Sequence, residues 1–171
     1  LHSEEVHKLL RNIRKELYEL FGQGKYVHLG CDEAHIFSKG YISKSELGEY
    51  FGKITKEAVA EGRIPIVWGD MIVSDKEAGC VGKPYYCAKI ETTDAERIRA
   101  SIAPETIIAD WQYNIKEGKI KTSVVLKEKG YKVVVLPYNS KADDVLSYNP
   151  DGVVISEGAG NPDECAAAVE E

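Results

Sequence analysis

Short apolar segments alternate with longer segments of helical periodicity throughout this chain of 171 residues. The short segments predict buried β-strands, and the helical segments between them are long enough to return the chain to the start of the next strand. Strands that alternate with helices in this way form βαβ units and a parallel sheet. The sequence therefore predicts an α/β fold of parallel βα repeats, with strands at residues 26–30, 65–70, 83–90, 106–111, 132–136 and 152–156 and helices at residues 3–21, 45–61, 93–100, 120–128, 142–147 and from 162 onward.

The first predicted helix has a clear start and one apolar face. Ser3 precedes Glu4 and Glu5, and acidic residues are favourable in the first turn of a helix. We expect the apolar face to be buried, because its members recur at helical spacing. These residues are Val6, Leu9, Leu10, Ile13, Leu17, Leu20 and Phe21.

Polar and aromatic residues stand at the ends of several predicted strands. The carboxyl ends of parallel strands meet at one edge, and active sites of α/β proteins lie there. We therefore expect these side chains to converge on one functional site. The predicted site consists of Asp32, Glu33, Trp68, Asp70, Trp111, Tyr113, Tyr138 and Asn139.

Composition excludes several classes of function. A net charge of −6 argues against nucleic-acid binding, which normally requires a basic surface. No apolar segment approaches the roughly 20 residues of a membrane-spanning helix. The four cysteines form no C-x-x-C pair and no H-E-x-x-H motif is present, so we predict neither a metal nor a cofactor. Cys80 and Cys87 are predicted either to pair locally or to stay as free thiols, and the localisation stays open.

The segment His28-Leu29-Gly30-Cys31-Asp32-Glu33 resembles the signature of glycoside hydrolase family 20, the β-N-acetylhexosaminidases, with Cys31 in place of a glycine. This resemblance implies that Glu33 is the general acid and that Asp32 holds the acetamido group of the substrate during substrate-assisted, retaining hydrolysis. It also implies that Trp68 and Trp111 form walls of the sugar pocket and that Tyr138 donates to the acetamido oxygen. The resemblance covers about residues 1–139.

The family resemblance implies part of a (β/α)8 barrel, since a complete barrel needs about 250 residues. An open, flavodoxin-like sheet or a chimera of the two is the alternative. The predicted organisation is a single α/β domain over residues 1–171, with a hexosaminidase-like part at 1–139 and a final βα unit at 140–171.

The tail follows a different pattern. Residues 137–162, which include Asn149-Pro150-Asp151-Gly152 and Gly158-Ala159-Gly160-Asn161-Pro162, resemble the class I glutamine amidotransferase domain of the carbamoyl-phosphate synthase small chain. In that family a cysteine on a later strand-turn-helix elbow is the nucleophile. This elbow is absent from the sequence, and Cys165 does not match it.

Three functions follow from these patterns. We expect a glycosidase that removes terminal β-linked N-acetylhexosamine. One form of this prediction is that the chain is an incomplete or inactive fragment of such an enzyme. Its predicted partners are an N-acetylhexosamine-containing glycan or glycoconjugate and, through open sheet edges, a second copy of the chain. The alternatives are a non-catalytic βα scaffold, chimeric or interaction domain, and an amidotransferase-related domain that lacks its nucleophile.

Overall fold

The computed structural model describes residues 3–22, 24–33, 43–81, 88–111, 120–133 and 140–148. Helices and strands alternate as the sequence predicts, and the predicted bounds agree with the observed ones to within two residues wherever a whole element is described. The elements are α1 (Glu4–Phe21), β1 (Tyr26–His28), α2 (Lys44–Ala60), β2 (Ile64–Trp68), α3 (Thr92–Ser101), β3 (Ile107–Ala109), α4 (Lys121–Glu128) and α5 (Ala142–Leu146).

The three described strands form one parallel sheet in the order β1-β2-β3. Tyr26 lies opposite Ile64 in the first pair, and Ile66 lies opposite Ile107 in the second. Each strand is joined to the next through a helix, so the prediction of parallel βα repeats is confirmed. These three strands do not close into a barrel, and an open, flavodoxin-like sheet fits them.

Four predicted elements lie wholly or partly outside the described residues. The predicted strand at 83–90 is described only from Ala88, which forms an isolated parallel bridge with Ser74. The strand at 132–136 is described only at its first two residues, and the elements after residue 148 are not described. Within the described helices, none is both long and apolar enough to cross a membrane.

The core lies between α2, α3 and the sheet. Phe51 and Leu47 of α2 pack with Val67 of β2 and Ile98 of α3, and all four side chains are buried. The connection after β2 contributes as well, since every residue from Met71 to Ser74 is buried. This connection is therefore part of the core although it has little regular structure.

Helices α2 and α3 approach closely where α2 has glycines. A Cβ atom on Gly52 would lie 2.8 Å from the carbonyl oxygen of Ser101. The Ser101 hydroxyl donates to the Gly48 carbonyl at 2.7 Å, and the Thr55 hydroxyl accepts from the Ala103 amide at 3.1 Å. The absence of a side chain at Gly52 is what permits this packing.

Helix α1 is attached to α2 through charged residues. The Arg14 guanidinium makes a bidentate contact with Glu61, at 2.7 and 3.0 Å, and a further bond to Glu57 at 3.0 Å. Arg11 donates to Glu57 at 2.9 Å, and the Tyr18 hydroxyl donates to Glu61 at 3.0 Å. Because the Arg14 side chain is only 8% exposed, this cluster is partly shielded from water.

The prediction of a buried apolar face on α1 is wrong. His7 and Arg14 are the buried residues of this helix. The periodicity was sufficient to predict the helix, but its orientation follows from the matching charges on α2, which bind the polar side. The apolar residues that remain exposed, by 43 to 76%, are Val6, Leu9, Ile13, Leu17, Leu20 and Phe21.

Replacing Gly52 with alanine should destabilise the fold by about 1–3 kcal/mol, because the new methyl group overlaps backbone that cannot move freely. Gly48→Ala is the matched control. Its Cβ would lie 3.6 Å from the nearest atoms, which are Ile98 atoms, and the higher helix propensity of alanine favours it by about 1 kcal/mol. Urea unfolding measures both variants, and equal effects would contradict the close approach.

Arg14→Ala should lower the free energy of unfolding by about 2 kcal/mol, because it leaves two partly buried carboxylates without their main cation. Arg97→Ala is the control, since its side chain is 76% exposed and, among the described residues, pairs with Asp94 of its own helix, so that a change below about 0.5 kcal/mol is expected. Thermal or urea unfolding tests this, and an Arg14 variant as stable as the Arg97 variant would refute the role of the cluster.

Candidate functional site

Five of the predicted site residues are described, and they lie at the same edge of the sheet. Asp32 and Glu33 follow β1, Trp68 ends β2, Asp70 comes two residues later, and Trp111 follows β3. Asp32 and Glu33 are exposed, both tryptophans are half-buried and Asp70 is buried. The remaining predicted residues, Tyr113, Tyr138 and Asn139, lie outside the described residues.

The pairing of the strands continues into these terminal segments. The amide of Leu29 donates to Ile66, and the amide of Trp68 donates to Gly30 at 3.0 Å. On the other side, the Gly69 amide donates to the Ala109 carbonyl at 2.8 Å. The backbone that carries the predicted site residues is therefore held at fixed spacing along the edge.

Asp70 connects the three strand ends. Its Oδ1 atom accepts from the Trp111 indole at 3.1 Å, and its Oδ2 atom accepts from the Glu33 amide at 2.8 Å. Burial raises the pKa of Asp70, although the Glu33 and Trp111 donors work in the opposite direction. The carboxylate is thus engaged with the protein itself.

The imidazole ring of His28 contacts the indole ring of Trp68. The ring centroids are 4.6 Å apart, and the Nδ1 atom of His28 accepts from the Gly30 amide at 3.0 Å. Burial lowers the pKa of His28, and the nearby Asp32 opposes that effect. The tilted contact with Trp68, in which the ring planes are 56° apart, and the hydrogen bond from Gly30 hold His28 at the start of the turn after β1.

The sequence analysis gave Asp110 no role, yet it binds the start of α4. Its carboxylate accepts from the Thr122 hydroxyl at 2.8 Å and from the Ser123 hydroxyl at 2.6 Å. Both hydroxyl residues are buried. The first turn of α4 contains two hydroxyl residues, and the helix has no side-chain cap of its own. These two features are the sequence signal that could have revealed the contact.

Cys31 occupies a strained position in the turn after β1. Its φ is +75°, a conformation that residues with a Cβ rarely adopt. Its thiol donates weakly to the Leu29 carbonyl, with a sulfur–oxygen distance of 3.6 Å. Burial raises the pKa of the thiol to about 12, and the negative charges of Asp32 and Asp70 add to the effect. The thiol is therefore protonated at neutral pH and is a poor nucleophile.

Metal binding finds no support in the described part of the chain. Nowhere in it do three or more His, Cys, Asp or Glu residues come together in a way that could hold a metal ion. The edge carries two exposed acidic residues, Asp32 and Glu33, and two half-buried tryptophans, Trp68 and Trp111. Such a surface suits a molecule that has both polar groups and an apolar face.

Comparison with known proteins points to one kind of relative. The chain is similar to the carbamoyl phosphate synthase small chain of Methanococcus maripaludis, with 47% identity over 77 residues, 39% of this chain and 20% of that protein. The small chain of Pseudomonas syringae is 35% identical over 80 residues, which cover 47% of this chain and 20% of the relative. That of Xylella fastidiosa is 33% identical over 98 residues, 57% of this chain and 24% of the relative.

The chain thus spans about a fifth to a quarter of the length of these relatives. No protein-family model matches it. No solved structure matches it either. The similarity to the small chains agrees with the resemblance of residues 137–162, and it extends over more of the chain than that segment.

The interpretation as a glycoside hydrolase is wrong. The relatives are named as small chains of a carbamoyl phosphate synthase, and the comparisons give no support to family 20. The general-acid role of Glu33 and the acetamido-binding role of Asp32 rested on that family alone. The predicted partners fail for the same reason, since the relatives belong by name to a synthase and not to enzymes that act on an N-acetylhexosamine glycan.

The Cys31 thiol should react very slowly with iodoacetamide in the folded chain. With a pKa of about 12 in place of the ordinary 9.0, its thiolate fraction at pH 8 is roughly a thousandfold smaller than that of an ordinary thiol. Mass spectrometry of the peptide that contains Cys31 measures the rate, and the same peptide in urea provides the control. Equal rates in the folded and unfolded chain would contradict the protected state of this thiol.

Proposed function

We propose that this chain is an amidotransferase-related α/β domain, similar over part of its length to a carbamoyl phosphate synthase small chain, that lacks the glutamine-hydrolysing nucleophile. Its role is to supply βα structure to a glutamine amidotransferase assembly. The similarity to the small chains of three organisms carries this proposal, because 33 to 47% of the residues are identical over 77 to 98 aligned residues.

The sequence of the tail supports the same proposal. Residues 149–162 contain closely spaced Asn, Pro, Asp and Gly residues on both sides of an apolar segment. This is the arrangement of a strand between two turns. It is also the segment that resembles the amidotransferase domain, so pattern and comparison agree.

The chemistry of the described thiols supports the lack of a nucleophile. An acyl-transferring cysteine has to be a thiolate, or has to lie beside a base that can deprotonate it. Cys31 is instead half-buried beside two carboxylates, whose negative charges help to keep its proton in place. Cys80 is buried, and its thiol donates to the Ala78 carbonyl at 3.1 Å.

We further propose that the chain forms one α/β domain over residues 1–171, with an open sheet of the flavodoxin-like kind. In such sheets ligands bind beyond the carboxyl ends of the strands. We propose that the residues predicted at this edge form the contact site of the domain, and we assign them no catalytic role. They are Asp32, Glu33, Trp68, Asp70, Trp111, Tyr113, Tyr138 and Asn139.

Segment replacement tests the proposal. The matched segment of the Methanococcus maripaludis small chain is exchanged for the corresponding residues of this chain, and glutamine-dependent product formation is measured in the assembled synthase. We expect the hybrid to stay folded and to keep activity within about tenfold of the parent, because substitutions that keep volume and polarity pattern are tolerated in α/β cores.

The matched control exchanges the same segment for an equally long piece of this chain that begins at residue 24. We expect this control hybrid to be inactive. Equal behaviour of the two hybrids would overturn the proposed relationship. The 171-residue chain by itself should release no ammonia from glutamine, and release that is lost on Cys31→Ser would overturn the proposed lack of a nucleophile.

A further inference from the structure

Asp70 is the group through which the ends of all three described strands are connected by hydrogen bonds. The side chain follows β2 and is 3% exposed. Its Oδ2 atom accepts the backbone N–H of Glu33, at the end of the turn after β1, and its Oδ1 atom accepts the indole N–H of Trp111, two residues after β3. Each carboxylate oxygen therefore accepts a hydrogen bond from the segment that follows a different neighbouring strand.

The turn after β1 needs support from outside, because its conformation is unfavourable. Gly30, Cys31 and Glu33 have φ values of +73°, +75° and +41°. Glycine adopts such values readily, whereas residues with a Cβ adopt them only where the surrounding structure enforces them. Two of these three positions hold such residues, so the turn would relax if its contacts were lost.

Among the described residues, hydrogen bonds hold the turn at both ends, and Cys31 packs against the core. The Gly30 carbonyl accepts from the Trp68 amide, which fixes the first residue of the turn against β2. At the other end, the Glu33 amide donates to Asp70 at 2.8 Å. Asp32 and Glu33 have exposed side chains, so packing contributes little to their placement.

We infer that Asp70 is a positioning residue that holds the Cys31–Glu33 turn in its strained conformation and thereby ties the backbone of Glu33 to the Trp111 indole. A buried apolar residue could fill the same volume without the cost of removing a carboxylate from water. The two N–H donors, from Glu33 and Trp111, require two acceptor oxygens, and a carboxylate provides one on each side. The inference does not depend on the proposed function.

Asp70→Asn separates these roles, because an amide has one accepting oxygen and one NH2 group that cannot accept. Exchange of the Glu33 amide hydrogen is the direct readout. We expect it to be about tenfold faster in the variant, in line with the loss of a hydrogen bond to a charged group. Amides in the centre of β2, such as that of Val67, should keep their exchange rates.

Trp111→Phe is the matched control. It removes the indole donor and leaves the contact between Asp70 and Glu33 in place, so the Glu33 amide should exchange within about twofold of the wild-type rate. Wild-type exchange of both the Glu33 amide and the Trp111 indole hydrogen in the Asp70→Asn variant would overturn the inference, because the single oxygen of asparagine replaces two separate acceptors. Equal acceleration in both variants would overturn it as well, since that result indicates general loosening of the edge.

A second pair of substitutions tests the strain itself and covers the case in which Asp70→Asn does not fold. Cys31→Gly removes the strain at one position, whereas Cys31→Ser removes the thiol and keeps the strain. Combined with Asp70→Asn, the glycine should restore folding or slow the Glu33 exchange, and the serine should not. Equal effects of glycine and serine would show that Asp70 does not act against backbone strain.

Discussion

The close approach of α2 and α3 at Gly52 is the contact on which the described fold depends. Helix α2 packs on β2 with its apolar face, binds α1 with its acidic face, and meets α3 where it lacks side chains. Helix α3 in turn leads into β3. A wider spacing between these two helices would open the space around Phe51 and Ile98 and would change where β3 meets β2.

Most of the described secondary structure could be predicted from the sequence. Apolar periods and turn residues are local signals, so strands such as Ile64–Trp68 and helices such as Lys44–Ala60 were found at nearly their observed bounds. The buried side of α1 could not be found in this way. Periodicity shows which face of a helix is apolar. The opposite face of α1 is bound because Glu57 and Glu61 of α2 accept hydrogen bonds from Arg14, which a local pattern does not show.

The predicted site shows the same limit. Placing Asp70 and Trp111 at one edge needed only the rule that parallel strands end together. That Asp70 binds the backbone of Glu33 could not be predicted, because it depends on the path of a strained turn. The motif at residues 28–33 predicted the wrong function, whereas the similarity to the small chains extends over 77 aligned residues.

The attachment of α1 to α2 depends on pH. Burial works to raise the pKa of Glu61, but hydrogen bonds from Arg14 and Tyr18 outweigh it, so the pKa lies below its ordinary value of 4.5. The stabilisation from this carboxylate is complete above pH 4.5 and is lost as acidity increases beyond that point. Acid therefore weakens the attachment of α1 to α2.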